Sequence, residues 1–345
     1  MPRRHPIGEK PTMAEIAALA GVSKPTVSKV MNGQPGVAAA TRERVKQVIA
    51  EQGYVRNGVA RALSAGRAGS VHLVMSEIDS PYFVEILRGV EETLDNAGLS
   101  MVLTTTHDEA RRHRRWMARV VEHGTDGVVL VLPDEHAAPL EELRRQGIPF
   151  AVVDDRGESL SGVPSVGATN FAGGFAATEY LLSLGHRRIA AIGGQAYRCT
   201  TARLAGYRAA LQEAGVPVDP LLTQPGSFRQ EAGYAAANAL LDAPEPPTAI
   251  FAGNDLQAMG VYRALYERGL RVPDDMSVVG FDDLPLVALL TPALTTVRQP
   301  VRDMGALATR MLLRMVAGKP LESPRVELAT SLMVRESCAP PRPLE

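Results

Sequence analysis

The stretch TMAEIAALAGVSKPTVSKVMN, residues 12–32, decides how this chain is read. Thr12 and Glu15 form the T-x-x-E capping box that opens a helix. Ile16, Ala17, Leu19 and Ala20 supply the apolar side of that helix. Gly21 stands where a tight turn needs a residue tolerant of positive φ. Ser23 caps a second helix, and Pro25 fits its first turn, where a missing N–H costs nothing. Val27 and Val30 face back onto the first helix and leave Lys24, Thr26, Ser28 and Lys29 facing outward. A second helix with a basic, polar outer face is what reading a DNA major groove requires. An ordinary αα-hairpin in a larger core is the alternative at this point.

The distribution of charge favours DNA. The whole chain carries a formal net charge of −1, which by itself argues against a nucleic-acid partner. Residues 1–67, however, hold eleven Lys or Arg against four Asp or Glu, so that end is +7 and the remainder is −8. A basic head on an acidic body is the footprint of a DNA-binding module joined to something else. With 345 residues, of which 45% are hydrophobic, two or three packed domains are expected. Two cysteines, Cys199 and Cys338, make no disulfide framework and suit a reducing cytoplasm. The charged start, MPRRHPIGEKP, is not followed by an apolar run, so no signal peptide is expected. No run approaches the roughly 18 apolar residues of a membrane span.

After the two helices a third is expected over Ala39–Gln52, with Val45, Val48 and Ile49 on one face and Gly53 at its end. Residues 54–63, YVRNGVARAL, form a short amphipathic segment, and SAGRAGS after it is a linker by composition. G-V-S-x-x-T-V-S-[RK]-V-x-N, then T-R-E-R-V, then G-Y-x-x-N-x-x-A-x-x-L, agree in order with the N-terminal signature of the lactose-repressor/galactose-repressor family, which the chain resembles over about residues 12–338. The resemblance implies an all-α N-terminal helix-turn-helix DNA-binding domain. It also implies an α/β two-lobed periplasmic-binding-protein-like effector domain of two parallel-sheet Rossmann-like subdomains. The divisions expected are a headpiece over 1–56, a hinge helix and linker over 57–70, and an effector-binding and dimerisation domain over 71–345.

By position the resemblance assigns DNA contact to Thr12, Ser23, Lys24, Pro25, Thr26, Ser28, Lys29, Asn32, Tyr54, Asn57, Ala60 and Leu63. Leu63 matches the leucine that wedges into the minor groove. Lys29 stands where many members have Arg and lacks the bidentate fork for guanine. Arg56 replaces the usual Pro, Ala38 replaces the usual Ser cap, and Gly58 lowers helix propensity in the hinge by roughly 1 kcal/mol.

From Val71 onward short apolar runs alternate with helical stretches, the βαβ rhythm of parallel sheets covered on both faces. The strands expected are Val71–Met75, Ser100–Thr104, Gly127–Leu132, Phe150–Val153, Arg188–Gly193, Thr248–Ala252 and Ser277–Phe281. Two half-domains would place a ligand between strand ends. The helix Val301–Val316 is expected on the first lobe, and Arg325–Arg335 as a strand of the second.

Candidate ligand residues follow the strands: Asp79, Tyr82, Phe83, Asp154, Arg203, Phe228, Asn254 and Asp282. Carboxylates and amides bond to sugar hydroxyls, Arg binds two oxygens at once, and aromatic faces cover a pyranose or a flat base. The family's effector pocket is lined by the positions that match Asp154, Arg203, Phe228, Asn254 and Asp282. The match is close at R-x-x-G-[YF], Arg203 to Tyr207, and at V-V-G-[FY]-D-D, Val278 to Asp283. Each residue alone has a plain structural alternative, a helix cap or a core aromatic, and Asp255 and Asp283 are read as caps.

Paired carboxylates also serve glycosidases. No nucleophile elbow, phosphate loop or metal-ligand spacing accompanies them, His186 is isolated, and Gly193-Gly194 is too short for a dinucleotide fingerprint. The expectation is therefore a non-enzyme without cofactor or metal. The resemblance implies a cytoplasmic, homodimeric, allosteric repressor of carbohydrate-utilisation genes. Its partners are double-stranded DNA with an approximately palindromic operator and a mono- or oligosaccharide effector, with no membrane. Two alternatives stand beside it. Pro81-Tyr82-Phe83 resembles the stacking step of the purine-repressor branch, which implies a corepressor, and a transport-system sugar-binding protein shares the two-lobed body. Ser337–Glu345 carries no Leu heptad, so no C-terminal coiled coil is expected.

Overall fold

The computed structural model describes residues 11–54, 68–107, 110–131, 138–154, 162–195 and 197–342. They form two compact units that divide between Ala68 and Gly69. The expected hinge, with Arg56, Asn57, Gly58, Ala60 and Leu63, lies outside the described residues.

The first unit holds the helices Met13–Leu19, Lys24–Met31 and Ala39–Gln52. Thr12 and Glu15 close the capping box: the Thr12 N–H donates to Glu15 at 2.7 Å, and the Glu15 N–H donates to the Thr12 hydroxyl at 3.3 Å. Gly21 turns the chain with φ +61°, and Ser23 caps the second helix by accepting from the Thr26 N–H. Ile16, Ala17, Ala20, Val27, Val30 and Val45 form the small core, with Val48 and Ile49 packed against it. Leu19 corrects the expectation. It is 52% exposed, because the stripe that meets the other two helices runs through Ile16, Ala17 and Ala20. Ala38 makes no side-chain cap bond to the third helix, and Gly53 ends that helix in the left-handed conformation. Arg44 ties the third helix to the first by donating to the Ala20 carbonyl at 2.9 Å.

The second unit is built on two six-stranded sheets. In chain order the first holds β1 (Ser70–Met75), β2 (Ser100–Thr105), β3 (Gly127–Val131), β4 (Phe150–Val153) and β5 (Ser165–Ala168). The second holds β6 (Ile189–Ile192), β7 (Thr223–Gln224), β8 (Ala249–Ala252), β9 (Ser277–Asp282) and β10 (Thr295–Arg298). The last two strands are divided. β11 (Arg325–Leu328) lies parallel to β5 in the first sheet, and β12 (Ser331–Met333) lies antiparallel to β10 in the second. The sheet orders are β11-β5-β4-β3-β1-β2 and β12-β10-β9-β8-β6-β7.

Both faces of each sheet are covered. On β3, Val129 and Val131 join one core with Val71, Ile86, Met304 and Leu312. Val128 and Leu130 point the other way, towards Trp116, Leu143 and Phe150. This is the burial that continuous apolar runs require of parallel strands. Helix Val301–Val316 packs on the first lobe beside helix Pro81–Asn96. The approach depends on Gly89, where a methyl group would strike the Arg302 carbonyl.

The chain crosses between lobes three times, after β5, after β10 and after β11. The expected single strand over Arg325–Arg335 is therefore two short ones in different sheets. At the break Thr330 donates its N–H to the Thr169 hydroxyl at 2.9 Å, which staples the third crossing to the first. Among the described residues no helix is long and apolar enough to cross a membrane.

Candidate functional site

In the first unit the second helix leaves Lys24, Pro25 and Lys29 exposed and Thr26 and Ser28 half-buried. Asn32 is exposed and donates its side-chain N–H to the Ser28 hydroxyl at 3.3 Å. Thr12 and Ser23 are exposed and also act as caps. Tyr54 packs half-buried against the three-helix core. Asn57, Ala60 and Leu63 lie outside the described residues. The exposed face is polar and basic, and its buried face is Val27 and Val30.

In the second unit a cavity of about 230 Å³ opens where strand C-termini of the two sheets meet. The first lobe contributes Ser76, Glu77, Ser80, Tyr82, Phe83 and Asp154. The second contributes Gln195, Tyr197, Cys199, Arg203, Phe228, Arg229, Asn254 and Asp282. A parallel sheet delivers its polar loops to this end, and two such ends face each other here. Seven of the eight ligand residues expected from sequence are brought together. Asp79 is the exception: its side chain is 67% exposed outside the lining, 3.7 Å from Arg229.

Arg203 is the fixed point of the cavity. It is buried; its Nε donates to Asn170 at 2.8 Å and Nη1 donates to the Gly253 carbonyl at 2.6 Å. Its guanidinium lies 3.8 Å from the centre of the Phe281 ring and 3.8 Å from the Asp282 carboxylate. These contacts hold the guanidinium plane rigidly, so hydrogen bonds to a ligand lose little freedom. Arg203 lies in the second turn of its helix. The helix begins one turn earlier, at Arg198, and carries Cys199 into the lining.

Asp282 ends β9 with φ +117° and accepts from Gln299 Nε2 at 2.6 Å. Burial pushes its carboxyl up to about 6, Arg203 and Gln299 oppose the shift, and the Asp154 charge across the cleft adds to it. Asp154 takes the Tyr82 hydroxyl as a hydrogen-bond donor. Burial, reinforced by the Asp154 charge, holds the Tyr82 hydroxyl well above the usual range and keeps it protonated. Asn254 is both helix cap and lining residue. Its side chain accepts from the Gln257 N–H at 2.9 Å and donates to the Phe228 carbonyl at 3.1 Å. Phe228 and Tyr197 form an aromatic wall with ring centres 5.9 Å apart.

The neighbouring carboxylates are structural, but neither is the cap read from sequence: Asn254 caps the helix that Asp255 begins, and the turn after Asp283 has no side-chain cap. Asp255 is fully buried and accepts from Thr296 at 2.6 Å and from the Leu284 N–H at 2.7 Å. Asp283 is paired with Arg298 at 2.6 Å and Arg335 at 2.5 Å. His186 is buried between Thr248, Ser277 and the Ala339 carbonyl, where it fastens the C-terminal segment. Glu77, Gln195, Tyr197 and Arg229 were missed by sequence reasoning. Their signal was only that each lies in a loop next to a strand end. The cavity offers fixed acceptors, a fixed bidentate donor and aromatic faces, the set that recognises a polyhydroxylated or heteroaromatic molecule. Burial pushes the Cys199 thiol up to about 11, so it is not an activated nucleophile.

The family model for bacterial regulatory proteins of the lacI family matches residues 12–57, and a periplasmic binding protein-like domain matches 178–338. The ribose operon repressor of Escherichia coli is 34% identical over 327 residues, 94% of this chain and 99% of that protein. The solved complex of the transcriptional regulator CelR with cellobiose is 38% identical, covers 95% of this chain and 100% of that one, and has a TM-score of 0.74. The Lac repressor dimer bound to operator and the anti-inducer ONPF is 26% identical, covers 96% and 100%, and has a TM-score of 0.86. With the headpiece, the two-lobed body and relatives of this length and identity in agreement, the chain belongs to the lacI family of bacterial regulatory proteins.

Proposed function

We propose that this protein is a sequence-specific DNA-binding transcriptional regulator, a repressor of carbohydrate-utilisation genes whose operator binding is controlled by a small sugar held between the two lobes. One observation carries the reading. Asp154 from the first lobe and Arg203 with Asp282 from the second converge on one cavity beneath an aromatic wall, in a chain that also bears a basic helix-turn-helix. The cavity of about 230 Å³ is small against drug-sized clefts of roughly 300–1,000 Å³, which favours a ligand of one or two sugar rings. Two relatives carry sugars in their names, ribose and cellobiose, while the repressor PurR of Serratia proteamaculans, 36% identical, keeps the corepressor alternative in the test below.

The regulator acts in the cytoplasm as a homodimer on an approximately palindromic operator, because two copies of one reading helix need two related half-sites. Within this reading Lys24, Pro25, Thr26, Ser28 and Lys29 contact bases and phosphates, with Thr12, Ser23, Asn32 and Tyr54 beside them. Asn57, Ala60 and Leu63 are read as further DNA contacts, with Leu63 in the minor groove. Asp154, Arg203, Phe228, Asn254, Asp282, Tyr82 and Phe83 hold the effector, and Asp79 acts from the rim. The protein performs no catalysis.

A thermal-shift screen of the full chain with D-ribose, cellobiose, D-glucose, hypoxanthine and guanine tests the effector class. A ligand at a hundred times its Kd stabilises the folded state by about 2.7 kcal/mol. The expected result is a raised Tm with a sugar and none with a purine. A rise with purines alone would replace the inducer reading with a corepressor.

A further inference from the structure

Arg229 reaches from the second lobe to two carboxylates of the first. It precedes helix Gln230–Leu241, and its guanidinium pairs with Glu77 and lies 3.7 Å from Asp79. Glu77 and Asp79 belong to the loop between β1 and helix Pro81–Asn96. Glu77 and Arg229 both line the cavity, and all three side chains retain contact with solvent. The pairs Arg203–Asp282, Arg298–Asp283 and Arg335–Asp283 differ from this cluster in lying within the second lobe.

Deeper in the cleft the sign is opposite. Asp154 and Asp282 come from different lobes, and their like charges disfavour ionisation of Asp282. The Asp79 carboxylate beside Glu77 strengthens the field that Arg229 meets.

We infer that Arg229, Glu77 and Asp79 form an interlobe latch across the cavity, which sets how much of the ligand-free protein is closed and so tunes the effector affinity. This inference rests on reading the cleft as the effector site. Exposed ion pairs are weak singly and shift an equilibrium by up to about fivefold each, which is the range needed to tune a response without locking it. Apparent affinity scales with the fraction of protein in the binding-competent state. The latch is also screened by salt, unlike the buried floor.

The test is amide hydrogen exchange, read by mass spectrometry on the full chain without any ligand. Arg229→Glu, Glu77→Arg and the pair together are each placed on an Asp79→Asn background, so that the exchanged charges meet one partner. Each single reversal should speed exchange in residues 76–83 and 226–232 threefold or more, and the double swap should return it to within about 1.5-fold of the background protein. Arg229→Gln, which loses the charge and keeps the length, should speed the same segments and abolish their response to 1 M salt. Unchanged exchange in Arg229→Gln, or a double swap as fast as the singles, overturns the latch. No effector enters this measurement. A sugar that raises Tm while the swap fails therefore removes only the latch, and a restored swap with no stabilising sugar removes only the effector reading.

Discussion

Asp282 and Asp154 are both held at positive φ, +117° and +47°, a conformation non-glycine residues adopt at a cost and that clusters at ligand sites. For Asp282 the cost is joined by burial, which raises its carboxyl from 3.8 to about 6. The unfolded chain releases this proton near 3.8 and the folded chain near 6, so between those values the folded state binds more protons and stability falls as pH rises. Asp282→Asn removes that slope, and Tm measured from pH 4 to 7 should lose part of its decline. Sugar hydroxyls donate to the ionised carboxylate, so effector binding should be about tenfold weaker at pH 5 than at pH 7 and level above pH 7. Isothermal titration at the two pH values reads this directly, and a flat profile in Asp282→Asn identifies the group. Arg203→Ala should cost roughly 1.5–3 kcal/mol of effector affinity through the lost hydrogen bonds. It should also cost stability, because Asp282 is left as a buried charge without its partner. Operator affinity without effector should hardly change, which a gel-shift titration checks.

At the scale of elements, Gly69 already belongs to the body: its N–H donates to Asp126 at 2.9 Å, and its carbonyl accepts from the Ser100 N–H at 3.0 Å. A fragment of residues 69–345 should keep effector affinity within twofold and lose operator binding, and a fragment that still binds operator would misplace the DNA-reading function. The helix-turn-helix and most strands were legible because caps, glycine turns and unbroken apolar runs are local signals. Thr12 with Glu15, Gly21 and Ser23 all act as their residue types suggest. The start of helix Arg198–Glu213 was not legible, since Tyr197 makes no side-chain cap bond and R-C-T-T-A-R carries no apolar period. The change of sheet between β11 and β12 was hidden for another reason: at the break Thr330 bonds to Thr169, 161 positions away. The same distinction separates the site residues. Arg203, Asp282 and Asn254 stand in recognisable local motifs, whereas Arg229 takes part only because the fold brings Glu77 opposite it.

Across the whole molecule, the effector and the operator are coupled only if each prefers a different arrangement of the two lobes. Three crossings join those lobes. Two of them reach the cavity directly: Gln299, just after β10, donates to Asp282, and Asn170, just after β5, accepts from Arg203. A sugar bridging Asp154 and Asp282 acts on both lobes at once and on the Gln299 crossing, so it biases their angle rather than either lobe alone. Thermodynamic linkage then requires reciprocity: operator DNA must weaken sugar binding by the factor by which sugar weakens operator binding. The most direct test is isothermal titration of the stabilising sugar into the full chain, free and saturated with an operator duplex selected from random DNA. The account predicts sugar affinity roughly 5- to 150-fold weaker on the operator complex, the span of typical allosteric coupling. Equal affinities for the free and operator-bound protein would contradict it.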